Sequence, residues 1–263
     1  RAGEDPSKIH ADLATYEIQM RFSKFTADSA RFTHKKYFPA PIYGRYVDKV
    51  LADVTEEKAS YPRFYSYDKM IGIPRLFKNI DYLGGFAMEG SPMIGSGDRS
   101  IDARLFFKRD GKDFVIARSK TFIIRPDRIN SSNSSVTIYH ETDSIFHPGL
   151  QLKYLDKDTT LSFSKDERVV NISPWFDSFH KIEIYCEALN WKVGDAKINF
   201  EMTKGISKES KAVFESSSYY SLHRYEKLRG IDDVNPLNLI KYFTDKRKSR
   251  EFTLEELARY MNK

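Results

Sequence analysis

The sequence predicts a mainly β fold, an antiparallel sandwich or jelly roll or a stacked short-strand solenoid, followed by a C-terminal α-helical region. Three observations predict it. Between Tyr82 and Phe200, short apolar runs alternate with turn residues. Leu150/Leu152/Tyr154, Ile182/Ile184/Cys186 and Ile198/Phe200/Met202 place an apolar side chain at every second position, the period of a strand with one buried face. The run Leu105 to Ile116 sets aromatic-rich segments on both sides of Asp110-Gly111, a pair suited to a type I′ hairpin turn because both central positions need positive φ.

Taken in order, residues 1–60 read as a mixed N-terminal segment. Ala11 to Tyr16 reads as a short helical stretch, and Ile18/Met20/Phe22 alternate as a strand would. A β-rich domain is expected over 61–204. Within it, Tyr61 to Tyr67 puts four aromatics and an arginine into seven positions. Gly84, Gly85, Gly90, Gly95 and Gly97 mark turns, bulges or close strand approach. A strand is expected at Thr121–Ile124, a polar turn at Asn130 to Ser135, a strand at Val136–Tyr139 and a turn at Pro148-Gly149. Leu150–Tyr154 and Thr159–Phe163 are joined through Asp156-Lys157-Asp158.

From 205 to 263 the period becomes helical. Ser207 to Arg229 reads as helix. Asn235-Pro236 reads as an N-cap with proline at the first helical position, and Thr253-Leu254-Glu255-Glu256 as a capping box. The final segment, Phe252 to Lys263, has the pattern of the first helix of a helix-turn-helix or winged-helix unit, or of a plain amphipathic helix packing on the β body. From Lys204 onward there are 13 basic and 9 acidic residues, so this region supplies +4 of the chain's net +6.

The remaining charge is mixed rather than blocked, which suits a solvated surface and permits, without requiring, an anionic partner. The lone Cys186 excludes an intrachain disulfide framework and a cysteine-based zinc site. No run of 18 apolar residues occurs, so no transmembrane helix is expected. The opening Arg1-Ala2-Gly3 carries no initiator Met and no apolar leader, and the chain reads as a mature form or a piece of a longer protein.

Chemistry-bearing patterns are sparse. His10, His34, His140, His147, His180 and His223 show neither His-x-His nor His-x-x-x-His spacing, so no metal is expected. His140, Asp143 and His147, with Asp177 and His180, are the nearest approach to a ligand set, and they read as turn and surface residues. The carboxylate pairs Asp156/Asp158 and Glu183/Glu187 read as solvated. No nucleophile elbow or phosphate loop is present, and no cofactor is expected. The best binding candidates are Tyr61, Arg63, Phe64, Tyr65 and Tyr67, whose rings and guanidinium suit a glycan or a protein, although strand alternation sends half of them into a core.

Asp81-Tyr82-x-Gly84-Gly85-Phe86, Asp143-Ser144-Ile145-Phe146-His147-Pro148-Gly149 and Ser173-Pro174-x-Phe176-Asp177-Ser178-x-His180 resemble segments of very large β-rich proteins of Bacteroidetes-type bacteria. The resemblance covers about residues 60–260. It implies a cell-envelope setting, periplasmic or extracellular, and a parent protein several times longer, and it transfers no catalytic residue. The strand rhythm is also similar to the β-jellyroll of OstA-like lipopolysaccharide-transport proteins. The leading expectation is a non-catalytic structural or binding module with a protein or glycan partner in the envelope. The alternatives are a nucleic-acid-binding protein acting through its basic tail, and a carbohydrate-active enzyme on a β scaffold.

Overall fold

The computed structural model describes residues 5, 7–19, 21–49, 59–97, 101–165, 173–202, 212–216 and 236–260. The chain divides into two compact units, residues 1–216 and 217–263. The first is all β among its described residues. Its strands are β1 (Ile9–Leu13), β2 (Glu17–Gln19), β3 (Lys24–His34), β4 (Ile42–Lys49), β5 (Arg63–Ser66), β6 (Ile71–Phe77), β7 (Ile80–Glu89), β8 (Met93–Ser96), β9 (Ala103–Arg109) and β10 (Lys112–Ser119). They continue with β11 (Thr121–Arg125), β12 (Arg128–His140), β13 (Asp143–Leu155), β14 (Thr160–Ser164), β15 (Trp175–Asp177), β16 (Ile182–Tyr185), β17 (Ala188–Lys192), β18 (Asn199–Glu201) and β19 (Val213–Ser216).

The described pairings are all antiparallel, and together they form a meander of long strands interrupted near their middles. β8 lies along the C-terminal half of β7 and β9 along its N-terminal half; β11 and β10 divide β12 in the same way. Because β8 also pairs with β11 and β9 with β10, pairing closes into a circuit β7–β9–β10–β12–β11–β8, a barrel-like core. The expected mainly β, antiparallel architecture therefore holds, and its core closes as a barrel rather than as a sandwich of two open sheets or a stacked short-strand solenoid.

The interruptions produce two walls. Along one, a row of inward residues runs Ala27, Tyr46, Phe64, Met88, Met93, Ile124, Ile129, Tyr154, Leu161, Trp191, each directly opposite the next. Along the other the row is Phe77, Ile80, Phe107, Val115, Ile138, Ile145, Asp177, Ile182. The rows meet across the core: the Tyr154 ring lies 5.4 Å from Phe77 and 6.1 Å from Phe107, and Trp191 lies 5.0 Å from Phe114. Each fully buried large apolar side chain stabilises the fold by roughly 1.5–3 kcal/mol, so the rows hold the walls together.

Three sequence expectations are corrected here. Ala11 to Tyr16 is not helical: Ala11 to Leu13 belong to β1, which pairs with β3. The described strands of residues 9–49 join the same sheet as the β-rich domain through β3–β4–β5 pairing, and the unit boundary falls after Ser216 rather than near residue 204, since Val213–Ser216 is a strand on β16. The expected turns at Asn130–Ser135 and Pro148-Gly149 lie inside β12 and β13. There the register slips between Ser131 and Val136, and the polar residues form a bulge. Ser119 Oγ donates to the Asn133 carbonyl at 2.6 Å and lies 2.9 Å from Ser131 Oγ. An added Cβ on Gly149 would sit 2.5 Å from Asn133 Oδ1, so the β12 bulge packs against β13 at Gly149.

Other expectations match. Asp110 and Gly111 have φ of 52° and 77°, as a type I′ turn requires. Cys186 is 2% exposed, and burial raises its thiol pKa to about 11. In the second unit, helix α1 spans Pro236–Arg247 and α2 spans Leu254–Tyr260. Thr253 and Glu256 form the capping box reciprocally: the Glu256 amide donates to Thr253 Oγ1 at 3.2 Å, and the Thr253 amide to Glu256 Oε2 at 2.9 Å. Asn235, and most of the helix expected at Ser207–Arg229, lie outside the described residues; the described part, Val213–Ser216, is strand rather than helix, because it pairs with β16.

Candidate functional site

The inner face of the first wall continues past the closed circuit toward β3 and β1, and there it floors a cavity of about 750 Å³. Sites for small organic ligands span roughly 300–1,000 Å³. Phe32 of β3, Phe86 and Met88 of β7, Met93 of β8 and Ile124 of β11 line it and are buried. Lys8, Lys35 and Lys36 line it and are exposed, so an apolar floor opens through a basic mouth.

Local structure places these lysines. β1 runs back along β3 with Ile9 opposite His34 and Ala11 opposite Phe32. The Lys35 amide donates to the Lys8 carbonyl at 3.0 Å, and the Tyr37 and Phe38 amides donate to the His34 carbonyl at 3.0 and 2.9 Å. That turn holds Lys8, Lys35 and Lys36 at one end of the cavity. No carboxylate belongs to the described lining. Asp5 stands outside it, 3.9 Å from the Lys8 ammonium in an exposed pair, and such pairs are worth little. The Lys36 ammonium lies 5.3 Å from the Tyr37 ring centre.

His34 joins mouth to floor. It is 8% exposed, with its ring 4.3 Å from Tyr37, 6.2 Å from Phe32 and 6.5 Å from Phe86. Burial lowers its pKa to about 4, opposed by a contact with the residue's own backbone and helped by the Lys36 charge, so the imidazole is neutral. Its Nδ1 is buried and has no hydrogen-bond partner among the described residues. A buried polar atom left unsatisfied costs about 1–3 kcal/mol.

The five expected binding residues do not form one surface. Phe64 is fully buried and stacks on Phe32 at 4.4 Å. Arg63 and Tyr65 point to the opposite face of β5. There Tyr65 donates its hydroxyl to Glu89 Oε1 at 2.7 Å, and Arg63 lies 4.6 Å from the Tyr61 ring centre while donating to the Ser60 carbonyl. Burial raises the Tyr65 pKa, with the Glu89 bond adding to it. Tyr67 is exposed and bonds the Asp28 carbonyl. Arg63 and Tyr65 thus lie on the face away from the cavity.

The histidine–aspartate set is structural. His147 is fully buried, with Nε2 3.1 Å from the Ser173 carbonyl and Nδ1 accepting from the Gly149 amide at 3.1 Å, so neither nitrogen is free for a metal. Burial lowers its pKa to about 4. Asp177 accepts from the Phe179 and His180 amides and lies 2.7 Å from His180 Nδ1, closing the turn before β16. His140 is exposed. Among the described residues no group of three or more His, Cys, Asp or Glu is arranged to hold a metal. Asp156 accepts the Tyr154 hydroxyl at 3.0 Å and Glu183 the Tyr185 hydroxyl at 2.7 Å.

Comparison with protein-family models, curated proteins and solved structures finds no match for this chain. No described helix is long and apolar enough to cross a membrane.

Proposed function

We propose that this chain is a non-catalytic binding module, part of a larger cell-envelope protein, that takes a small-molecule ligand into the cavity beneath β1 and β3. The observation that carries the proposal is His34: a neutral imidazole, buried in the cavity wall, with a ring nitrogen that makes no hydrogen bond to any other described residue. Buried polar groups in folded proteins are paired, and an exception is a place where a ligand or water supplies the bond. The envelope setting rests on the sequence resemblance alone, and fractionation of the native host's cells tests it.

A ligand-detected NMR screen of small amphiphiles against the intact chain tests the cavity. Ala11 lines it from β1, half-buried, so Ala11→Trp places a large ring in the cavity, with a thermal melt checking that the fold is kept. Compounds that bind the wild type and are lost in Ala11→Trp support the proposal. Binding unaffected by the substitution, or no binding, refutes it. Nucleic-acid binding through the tail has less support, because two of its cations are engaged locally. Arg247 pairs with Glu256 at 2.7 Å, and the Lys246 ammonium lies 5.7 Å from the Tyr260 ring centre.

A further inference from the structure

We infer that the ligand is an amphipathic anion with an aliphatic chain and one carboxylate or phosphate head. The head lies among Lys8, Lys35 and Lys36 and takes a hydrogen bond from His34, and the chain lies over Phe86, Met88 and Met93. This rests on the cavity being a small-molecule site and goes on to name what the site selects.

The charge distribution fixes the sign of the ligand. Three ammonium groups line the cavity and no described lining residue is acidic; the nearby Asp5 carboxylate pairs with Lys8 in an exposed contact, so the described mouth keeps a net positive charge and favours an anionic head over a cationic one. The floor fixes the body. Among its buried side chains His34 is the only one with a polar N or O atom, while, the lysines aside, the other polar lining residues His10, Tyr37, Tyr46 and Ser91 are half-buried or exposed, so a nucleobase or sugar seated on the buried floor would lose most of its water contacts there. A hydrocarbon chain loses nothing polar. Met88 and Met93, unbranched and polarisable, adapt to such a chain better than branched side chains do. The neutral imidazole can carry its proton on Nδ1, and it then donates to an anionic oxygen without the cost of burying a cation.

Titration calorimetry of the intact chain at neutral pH with dodecanoate, dodecyl phosphate, dodecanol and dodecylammonium tests this. At least one anion is expected to bind about tenfold or more tighter than dodecanol, the difference made by charge-assisted hydrogen bonds. Dodecylammonium is expected to bind most weakly. The exposed pair Lys35→Gln/Lys36→Gln is expected to erase most of the anion preference and leave dodecanol affinity unchanged. His34→Phe is expected to weaken the preferred anion by about tenfold with little effect on dodecanol; should that variant not fold, the lysine pair carries the test. Equal affinity for anions and alcohol, or a preference that survives the lysine substitutions, overturns the anion assignment and leaves the cavity as a site. Failure of every amphiphile to bind, or binding indifferent to Ala11→Trp, overturns the cavity itself.

Discussion

His147 makes a quantitative prediction about acid stability. The ring is fully buried 5.2 Å from Trp175, and burial holds its pKa at about 4 against 6.5 for a free histidine. The folded state therefore favours the neutral ring, and the unfolded chain binds the proton first as pH falls. The stability that depends on the neutral ring is fully present above about pH 6.5, declines below it, and is lost by about pH 4. At about 1.4 kcal/mol per pH unit the total is roughly 3 kcal/mol, of which about 2 kcal/mol is gone at about pH 5. His147→Asn keeps an acceptor near the Gly149 amide, loses the Ser173 bond and the ring packing, and does not titrate. The variant is expected to be less stable at neutral pH yet to lose about 2 kcal/mol less than wild type on going to about pH 5. Urea denaturation followed by tryptophan fluorescence measures this, since both tryptophans, Trp175 and Trp191, are buried in the core. Equal pH slopes for the two proteins would refute the reasoning.

Further outcomes follow from the same geometry. A Cβ on Gly44 would sit 2.2 Å from the Tyr65 carbonyl oxygen and 2.5 Å from Phe64 Cζ, so Gly44→Ala is expected to destabilise by roughly 1–3 kcal/mol. Gly72→Ala, with nothing within 4 Å, is expected to be neutral or slightly stabilising; thermal melts compare the two. Thr253→Ala removes the cap of α2, and faster hydrogen exchange at the Glu256 amide is the expected readout. Arg63→Ala with Tyr65→Ala, on the face away from the cavity, is expected to leave amphiphile affinity within about twofold by calorimetry; a larger loss would move the site to that face.

Much of the fold was legible because its signals are local. Asp110-Gly111 announces its hairpin through the positive φ both residues adopt, and the alternation at Leu150/Leu152/Tyr154 announces the inner face. The capping box at Thr253–Glu256 is likewise contained in four residues. The bulge was misread for a physical reason. Serines and asparagines between apolar runs mark a turn when their local backbone bonds end a strand, whereas the buried Ser119 and Ser131 also bond to each other and share the Asn133 backbone carbonyl, holding a bulge that lets a long strand bend. The cavity was not legible. Its lining comes from β1, β3, β4, β7, β8 and β11, which only the meander brings together, and His34-Lys35-Lys36 in isolation has the composition of a solvated turn. The aromatic density at Tyr61 to Tyr67 was visible, but alternation sent Phe64 inward and Tyr65 outward and divided the cluster between core and surface.

The most direct test of the cavity as a ligand site is methyl-detected NMR of the chain's six methionines during titration with dodecanoate. Met88 and Met93 line the cavity and Met20, Met70, Met202 and Met261 are not among its lining residues. Saturable shifts confined to Met88 and Met93 are the predicted result. Unmoved spectra, or shifts spread over all six methyl groups alike, would contradict the account.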